Sequence, residues 1–134
     1  MLHPQIFANV CACFQFFPEI DLFASYQHHQ LPCYCSQLPD PHAFACDAFS
    51  LNWRNLSCWL NPPWSLIPAV LAKIANEKCS SLMLVPLWRS SPWFSKFSSL
   101  CQSHIILRGP IYVDKNGFLR PTPKWLSCVA FISF

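Results

Sequence analysis

Four consecutive residues, Asn61-Pro62-Pro63-Trp64, hold the groups needed to act on an amine attached to a flat ring. The Asn61 side-chain oxygen and the Pro62 carbonyl can accept the two hydrogens of such an amine, and both prolines restrict the backbone that carries the carbonyl. Adenine is a ring of this kind, and accepting its amine hydrogens frees the nitrogen lone pair to attack the sulfonium methyl group of S-adenosylmethionine. The Trp64 ring could stack on the extruded base. The tetrapeptide therefore predicts methylation of an amine, and its alternative role is a proline-rich turn.

The elements around the tetrapeptide favour a site at one edge of a β-sheet. A short apolar strand is predicted immediately before it, and apolar residues at helical spacing follow over about residues 66–77, with Ser65 as the expected N-cap. Asp21 lies at or just past the end of another predicted strand, residues 19–24. Because ligands bind at the carboxyl ends of parallel strands, Asp21 and Asn61 are expected to face one crevice.

Strand and helix patterns alternate along the chain, which predicts an α/β fold with a mostly parallel sheet in a single domain, residues 1–134. Residues 26–43, rich in Pro, His and Gln, are expected to form a loop. Residues 114–117, Asp-Lys-Asn-Gly, are expected to be the turn of a terminal hairpin. The other predicted helices cover residues 4–17 and 92–102, and the predicted strands cover residues 19–24, 57–60, 81–85, 104–107, 111–113 and 126–133.

Charge divides the chain into two parts. Residues 1–53 contain four acidic residues and no Lys or Arg, whereas residues 54–134 contain all nine basic residues and two acidic ones. The first part suits a small cationic or polyhydroxyl ligand and the second suits phosphates, unless chance alone produced the split. The basic residues expected to contact phosphates, or otherwise to form a solvated basic face, are Arg89, Lys96, Arg108 and Lys124.

The nine cysteines are scattered and odd in number, and residues 1–17 lack the features of a secretory signal. Most cysteines are therefore predicted to be small core residues in an intracellular, reducing compartment. A zinc site could be built from His28, His29, Cys33 and Cys35. However, Cys-x-Cys lacks the two-residue gap of common zinc motifs, so no metal is predicted. No apolar stretch approaches the roughly 18–20 residues that cross a bilayer, and no membrane partner is expected.

Several short segments occur in an order that is typical of one enzyme family. They are Pro4-Gln-Ile-Phe7, Ile20-Asp-Leu-Phe-Ala-Ser25, Pro32-Cys-Tyr-Cys35, Asp47-Ala-Phe-Ser-Leu-Asn-Trp53, the tetrapeptide, Leu84-Val-Pro86, Trp93-Phe94, Arg108-Gly109 and Pro121–Pro123. Over nearly its full length the chain resembles the phage-type DNA adenine methyltransferase (Dam) family. The resemblance implies a compact Rossmann-like methyltransferase sheet, either whole or truncated, with S-adenosylmethionine as cofactor and DNA as partner.

The resemblance also implies roles for individual residues. The residues of the Asn61–Trp64 tetrapeptide would be catalytic. Asp21 would bind the methionine or ribose part of the cofactor, and its alternative role is a cap at the strand end. Asp47 would contact the cofactor's adenine or ribose, and its alternative role is an Asx turn. Ala24 and Ser25 stand where the family has a glycine-rich cofactor loop and would bind the cofactor in its place.

A second resemblance leaves another hypothesis open. The segments Asp21–Ser25, Asp47–Phe49 and Pro62–Ile67 are similar to the region that follows ribonuclease H in DIRS-type tyrosine-recombinase retroelements. This likeness implies a non-catalytic retroelement fragment with a nucleic-acid-binding or structural role, located in the nucleus if the element is eukaryotic. A zinc-binding interaction module is a third hypothesis. The sequence indicates neither the DNA target nor the oligomeric state.

Overall fold

Seven strands form one mixed sheet in the computed structural model, which describes all residues 1–134. The strands are β1 (Ile20–Ala24), β2 (Tyr34–Ser36), β3 (Ala45–Cys46), β4 (Ser57–Leu60), β5 (Ser80–Pro86), β6 (Ser103–Leu107) and β7 (Ser127–Ile132). Their order across the sheet is β3-β2-β1-β4-β5-β7-β6. Strands β1 to β5 are mutually parallel, and β7 is antiparallel to both of its neighbours, β5 and β6. The predicted α/β architecture with a mostly parallel sheet is confirmed.

Three helices cover the two faces of the sheet. They are α1 (Pro4–Phe14), α2 (Ile67–Glu77) and α3 (Phe94–Leu100), and two 3₁₀ turns, Ala48–Ser50 and Trp64–Leu66, complete the helical elements. Helix α1 packs with one apolar cluster, and α2 and α3 pack with a second, larger cluster. None of these helices is long and apolar enough to cross a membrane.

The alternation of side chains along the central strands separates the two clusters. In β5, Leu82 and Leu84 belong to the cluster under α1, whereas Met83 and Val85 belong to the cluster under α2. Successive side chains of a strand point to opposite faces, so a strand covered on both faces must be apolar throughout. The continuous apolar run of β5 is the sequence signal of this double burial, and it predicted the strand correctly.

Two helix boundaries differ from the predictions for local reasons. Helix α1 ends at Phe14 because Gln15 adopts a left-handed conformation, with φ of 51°, and its N–H donates to the Ala12 carbonyl. Such a conformation ends a helix. Ser65 is not the N-cap of α2: Leu66 occupies that position, with no side-chain cap bond. A 3₁₀ turn forms first, in which the Leu66 N–H donates to the Pro63 carbonyl at 2.9 Å.

The loop prediction for residues 26–43 is wrong in part, because β2 lies within it and β3 follows directly. Both strands are too short, at three and two residues, to show an alternating pattern. Conversely, residues 111–113 form only isolated bridges, Leu2 with Tyr112 and Val113 with Leu119. A turn forms at residues 114–117, as predicted, since the Gly117 N–H donates to the Asp114 carbonyl at 3.0 Å. The predicted terminal hairpin is wrong in part, because β7 pairs with β5 and β6 and not with residues 111–113.

Candidate functional site

Three adjoining cavities lie along the edge of the sheet where the parallel strands end. The tryptophan cavity, about 530 Å³, is lined by Trp64, Trp125 and the end of β5. The polar cavity, about 240 Å³, is lined by Asp21, Ser25, His28 and Gln30. The Asp47 cavity, about 230 Å³, is lined by Ala24, Asp47 and Phe49.

The tetrapeptide touches all three cavities. Asn61 lines both the tryptophan cavity and the polar cavity. Pro63 lines the Asp47 cavity, and Trp64 lines the tryptophan cavity. Phe23 lines both the polar cavity and the Asp47 cavity, so each neighbouring pair of cavities shares a wall residue. Ligands in the tryptophan cavity and in the polar cavity would lie against the same asparagine.

The two hydrogen-bond acceptors of the tetrapeptide have no partner inside the protein. Asn61 immediately follows Leu60, the last residue of β4, and its half-buried side chain makes no hydrogen bond within the chain. Pro62 is buried, and its carbonyl accepts none of the backbone hydrogen bonds outside the regular elements. The Asn61 side chain lines two cavities and is thus free to accept a hydrogen from a ligand, whereas the buried Pro62 lines none of the three cavities.

The walls of the tryptophan cavity are aromatic and basic. The Trp64 ring lies edge to face against Trp88 and Trp125, with centroid distances of 4.6 and 5.0 Å, and it remains 47% exposed. Arg120 and Lys124 also line this cavity. A flat ring with a phosphate attached would meet complementary groups on these walls.

Asp21 is the second residue of β1 and not its last, which corrects its predicted placement at the strand end. It still reaches the site, because Asp21 pairs in register with Trp59 and residues two apart share one face of a sheet. Asp21 and Asn61 therefore project from the same face, two positions apart along neighbouring strands. The Asp21 side chain is only 3% exposed, and burial raises its pKa to about 6.

Asp47 is held in an unusual backbone conformation. Its φ is 63°, in the left-handed region, and its side chain caps the following 3₁₀ turn by accepting the Phe49 N–H at 3.1 Å. The alternative role as an Asx-type cap is thus present in the structure. The second carboxylate oxygen stays available, because Asp47 is exposed and lines a cavity. A non-glycine residue in this conformation is often found at a functional site.

The remaining residues predicted to bind the cofactor lie together. Ala24 lines the Asp47 cavity and Ser25 lines the polar cavity, so these two residues and the two aspartates surround the same pair of cavities. The structure therefore brings all four side chains to one part of the edge. The prediction that they bind a cofactor stays a prediction.

The basic residues predicted to contact phosphates do not lie together. Lys124 lines the tryptophan cavity. Arg89 lines a separate cavity beside α3, Lys96 faces the second half of α2, and Arg108 is exposed and lines none of the main cavities. Arg120 was not predicted, although its position beside Pro121 and close to Lys124 and Trp125 was visible in the sequence.

The histidines and cysteines considered as zinc ligands have other surroundings. The His29 ring stacks on Tyr34 at 4.5 Å, and Cys35 is buried in the core under α2. No three His, Cys, Asp or Glu side chains are arranged to hold a metal ion. All nine cysteines are free thiols, and five of them are buried, which confirms that most are small core residues. The chain matches no protein-family model and no curated protein.

Proposed function

We propose that the chain is a DNA methyltransferase that transfers the methyl group of S-adenosylmethionine to the exocyclic amine of adenine. The observation that carries this proposal is the free side-chain acceptor of Asn61, which lines both an aromatic cavity and an acidic one, followed directly by the Pro62 carbonyl, which has no partner inside the protein. An amine has two hydrogens to donate. Acceptors placed for both reduce the delocalisation of the nitrogen lone pair into the ring, and the protein does not have to rearrange to provide them. A proline-rich turn with no function would not require the Asn61 side chain to line two cavities.

The tryptophan cavity supplies the target side of the reaction. An adenine extruded from its strand would stack on Trp64, whose orientation is held by Trp88 and Trp125. Arg120 and Lys124 would bind the phosphates that flank the extruded nucleotide. Base and phosphates would then be fixed with the amine against Asn61, which is the positioning that the reaction requires.

We infer that S-adenosylmethionine would occupy the polar cavity and the Asp47 cavity. When bound, this cofactor supplies an electrophilic methyl group. Asp47 and Phe49 would meet its adenosine, and Asp21 its charged amino-acid part. The unpartnered Oδ1 of the buried Asp21 supports this fit, because a carboxylate oxygen without a hydrogen bond is costly unless a ligand supplies one. The order β3-β2-β1-β4-β5 also supports it, since the doubly wound order changes direction between β1 and β4, where ligands of such sheets bind.

The direct test measures methyl transfer to adenine-containing oligonucleotides, with N6-methyladenine detected by mass spectrometry of the digested product. The unaltered chain is expected to methylate, and Asn61→Ala to lose at least about a hundredfold in rate, because an acceptor used in the transition state is missing. Asn76→Ala, which changes an exposed residue of α2, is the matched control and should methylate normally. Equal activity of Asn61→Ala and the control would exclude the proposed chemistry.

A non-catalytic retroelement domain is the second candidate, and one observation favours it. The connection between β1 and β2, residues 25–33, contains no helix and no glycine. In doubly wound sheets the turn after the first strand usually brings glycine backbone and a helix N-terminus to the cofactor. Calorimetry separates the two candidates: a non-catalytic domain would bind oligonucleotides and give no saturable heat with S-adenosylmethionine.

A further inference from the structure

The polar cavity contains two buried polar atoms that have no hydrogen-bond partner. They are Oδ1 of Asp21 and Nε2 of His28, and the only other such side-chain atom in the chain is Oγ of Ser81. An unsatisfied buried polar group costs about 1–3 kcal/mol. Two of three in one cavity are poorly explained as isolated packing defects, and they point to a ligand that satisfies both.

The Asp21 carboxylate and the backbone of His28 are both held in place by hydrogen bonds. The other oxygen of Asp21 accepts the Gln30 N–H at 2.9 Å, and the Gln30 side chain donates to the Leu2 carbonyl at 2.7 Å. His28 closes a tight turn with Ser25, in which the Ser25 N–H donates to the His28 carbonyl at 2.9 Å. The His28 N–H donates in turn to the Ser25 hydroxyl at 3.1 Å. The free oxygen of Asp21 therefore belongs to a fixed carboxylate, and the His28 imidazole projects from a fixed turn.

The chemical types of the two groups define their ligand. The Asp21 carboxylate accepts hydrogen bonds and attracts a cation, whereas an imidazole N–H donates and attracts an anion. A small ligand that satisfies both carries a cationic donor and an anionic acceptor close together. The ammonium and carboxylate of an α-amino acid have this arrangement.

The fold explains why a histidine would be needed. No helix follows β1, so no helix N-terminus is available there to bind an anion, and residues 25–33 contain no glycine. A side-chain donor must take that role. Among the residues that line the polar cavity, His28 is the one whose side chain has a buried nitrogen without a partner.

We propose that the polar cavity receives the amino-acid end of S-adenosylmethionine, with Asp21 binding its ammonium group and His28 donating from Nε2 to its carboxylate. This proposal rests on the proposed function and goes beyond it, because it assigns His28 as a cofactor-binding residue and excludes the ribose as the partner of Asp21. The amino-acid end would then lie beside Asn61, which lines the same cavity.

Calorimetry with three ligands tests the assignment. S-Adenosylmethionine carries both charged groups, its decarboxylated form lacks only the carboxylate, and 5′-methylthioadenosine lacks the whole amino-acid part. His28→Ala should weaken S-adenosylmethionine binding by about tenfold to a hundredfold, the loss expected for one charge-assisted hydrogen bond, and leave binding of the decarboxylated form unchanged. His28→Gln, which keeps an N–H donor, should recover part of the loss. His104→Ala, on the edge strand β6, is the control.

Three results would overturn the assignment in different ways. If His28→Ala and the unaltered chain bound S-adenosylmethionine equally well, a role for His28 in binding the carboxylate would be excluded. The proposed function would not be affected. If Asp21→Asn weakened 5′-methylthioadenosine as much as S-adenosylmethionine, Asp21 would bind the ribose and not the ammonium. If the unaltered chain bound no S-adenosylmethionine, the proposed function would fail, and the assignment with it. Unchanged affinity of His28→Ala for the decarboxylated form shows that this variant is folded.

Discussion

The Trp125 ring meets the Trp64 ring edge to face, with their centroids 5.0 Å apart and their planes at 89°. Edge-to-face pairs of aromatic rings are favourable, and this one fixes the orientation of a ring that is 47% exposed. Under the proposed function, Trp64 would thereby be oriented for stacking on a base before nucleic acid binds. The two residues are far apart in the sequence, and only the start of β7 brings them together.

The tryptophan pair predicts a selective defect in target binding. Trp125→Ala should raise KM for the oligonucleotide about tenfold, because stacking of a base contributes about 1–3 kcal/mol and a mobile Trp64 would lose part of it. The affinity for S-adenosylmethionine should not change, since Trp125 lines neither the polar cavity nor the Asp47 cavity. Trp125→Phe keeps an aromatic edge and should recover most of the loss. Steady-state kinetics and calorimetry on the same preparations make the comparison.

Arg120 and Lys124 predict a change in the salt dependence of binding. Removing one phosphate contact lowers the slope of log Kd against log salt by about one and weakens binding to all sequences alike. Arg120→Ala and Lys124→Ala should each show this change in fluorescence titrations at several salt concentrations. Lys96→Ala is the control, because Lys96 lies against α2, away from the tryptophan cavity. A Lys96→Ala effect as large as the other two would mean that the basic residues act only through net charge.

From the burial of Asp21 we expect the free energy of unfolding to depend on pH in an unusual way. Burial raises its pKa from the ordinary value of 3.8 to about 6, so the folded protein holds a proton that the unfolded chain releases. The stabilisation is therefore complete below about pH 4 and is lost as the pH rises through about 6. A shift of this size corresponds to about 3 kcal/mol of unfolding free energy.

Asp21→Asn isolates this contribution. The amide keeps an acceptor for the Gln30 N–H and carries no charge, so the variant should be more stable than the unaltered chain at pH 7.5 by up to about 3 kcal/mol. At pH 4 the difference should nearly vanish. Urea unfolding of both proteins at the two pH values measures it. The same variant should bind S-adenosylmethionine more weakly, because the ammonium loses its partner. A variant destabilised at pH 7.5 would show that the charge is compensated in the folded protein.

Local signals in the sequence were sufficient for much of the architecture. The run Ser57–Leu60 was predicted with the correct bounds, and β5 was predicted to within one residue at each end, because buried parallel strands are continuously apolar. The junction of β4 with a proline-rich segment also placed Asn61 correctly at the strand end. These features depend on neighbouring residues only.

The parts of the site that were not predicted depend on contacts between distant residues. Trp88, Trp125 and Arg120 were not recognised as partners of Trp64, because nothing local indicates that β7 begins beside the end of β5. His28 was considered only as a zinc ligand, since the lack of a partner for its Nε2 is a property of the packed structure. The Ser65 cap failed for a different reason: two prolines before it favour a 3₁₀ turn over an immediate α-helix.

The antiparallel direction of β7 has a consequence for the choice of DNA target under the proposed function. Strand β6 is parallel to β5 and ends at the edge that holds the cavities, and β7 starts at that same edge. The connecting segment, residues 108–126, therefore leaves and re-enters the sheet beside the site, and it carries Arg120, Lys124 and Trp125. Surface connections tolerate insertions and replacement far better than strands do. If the chain is the methyltransferase proposed above, we expect replacement of the largely exposed residues 114–125 to change target preference while Asn61 and Pro62 stay in place, whereas Ile111 and Val113 are buried and must be kept.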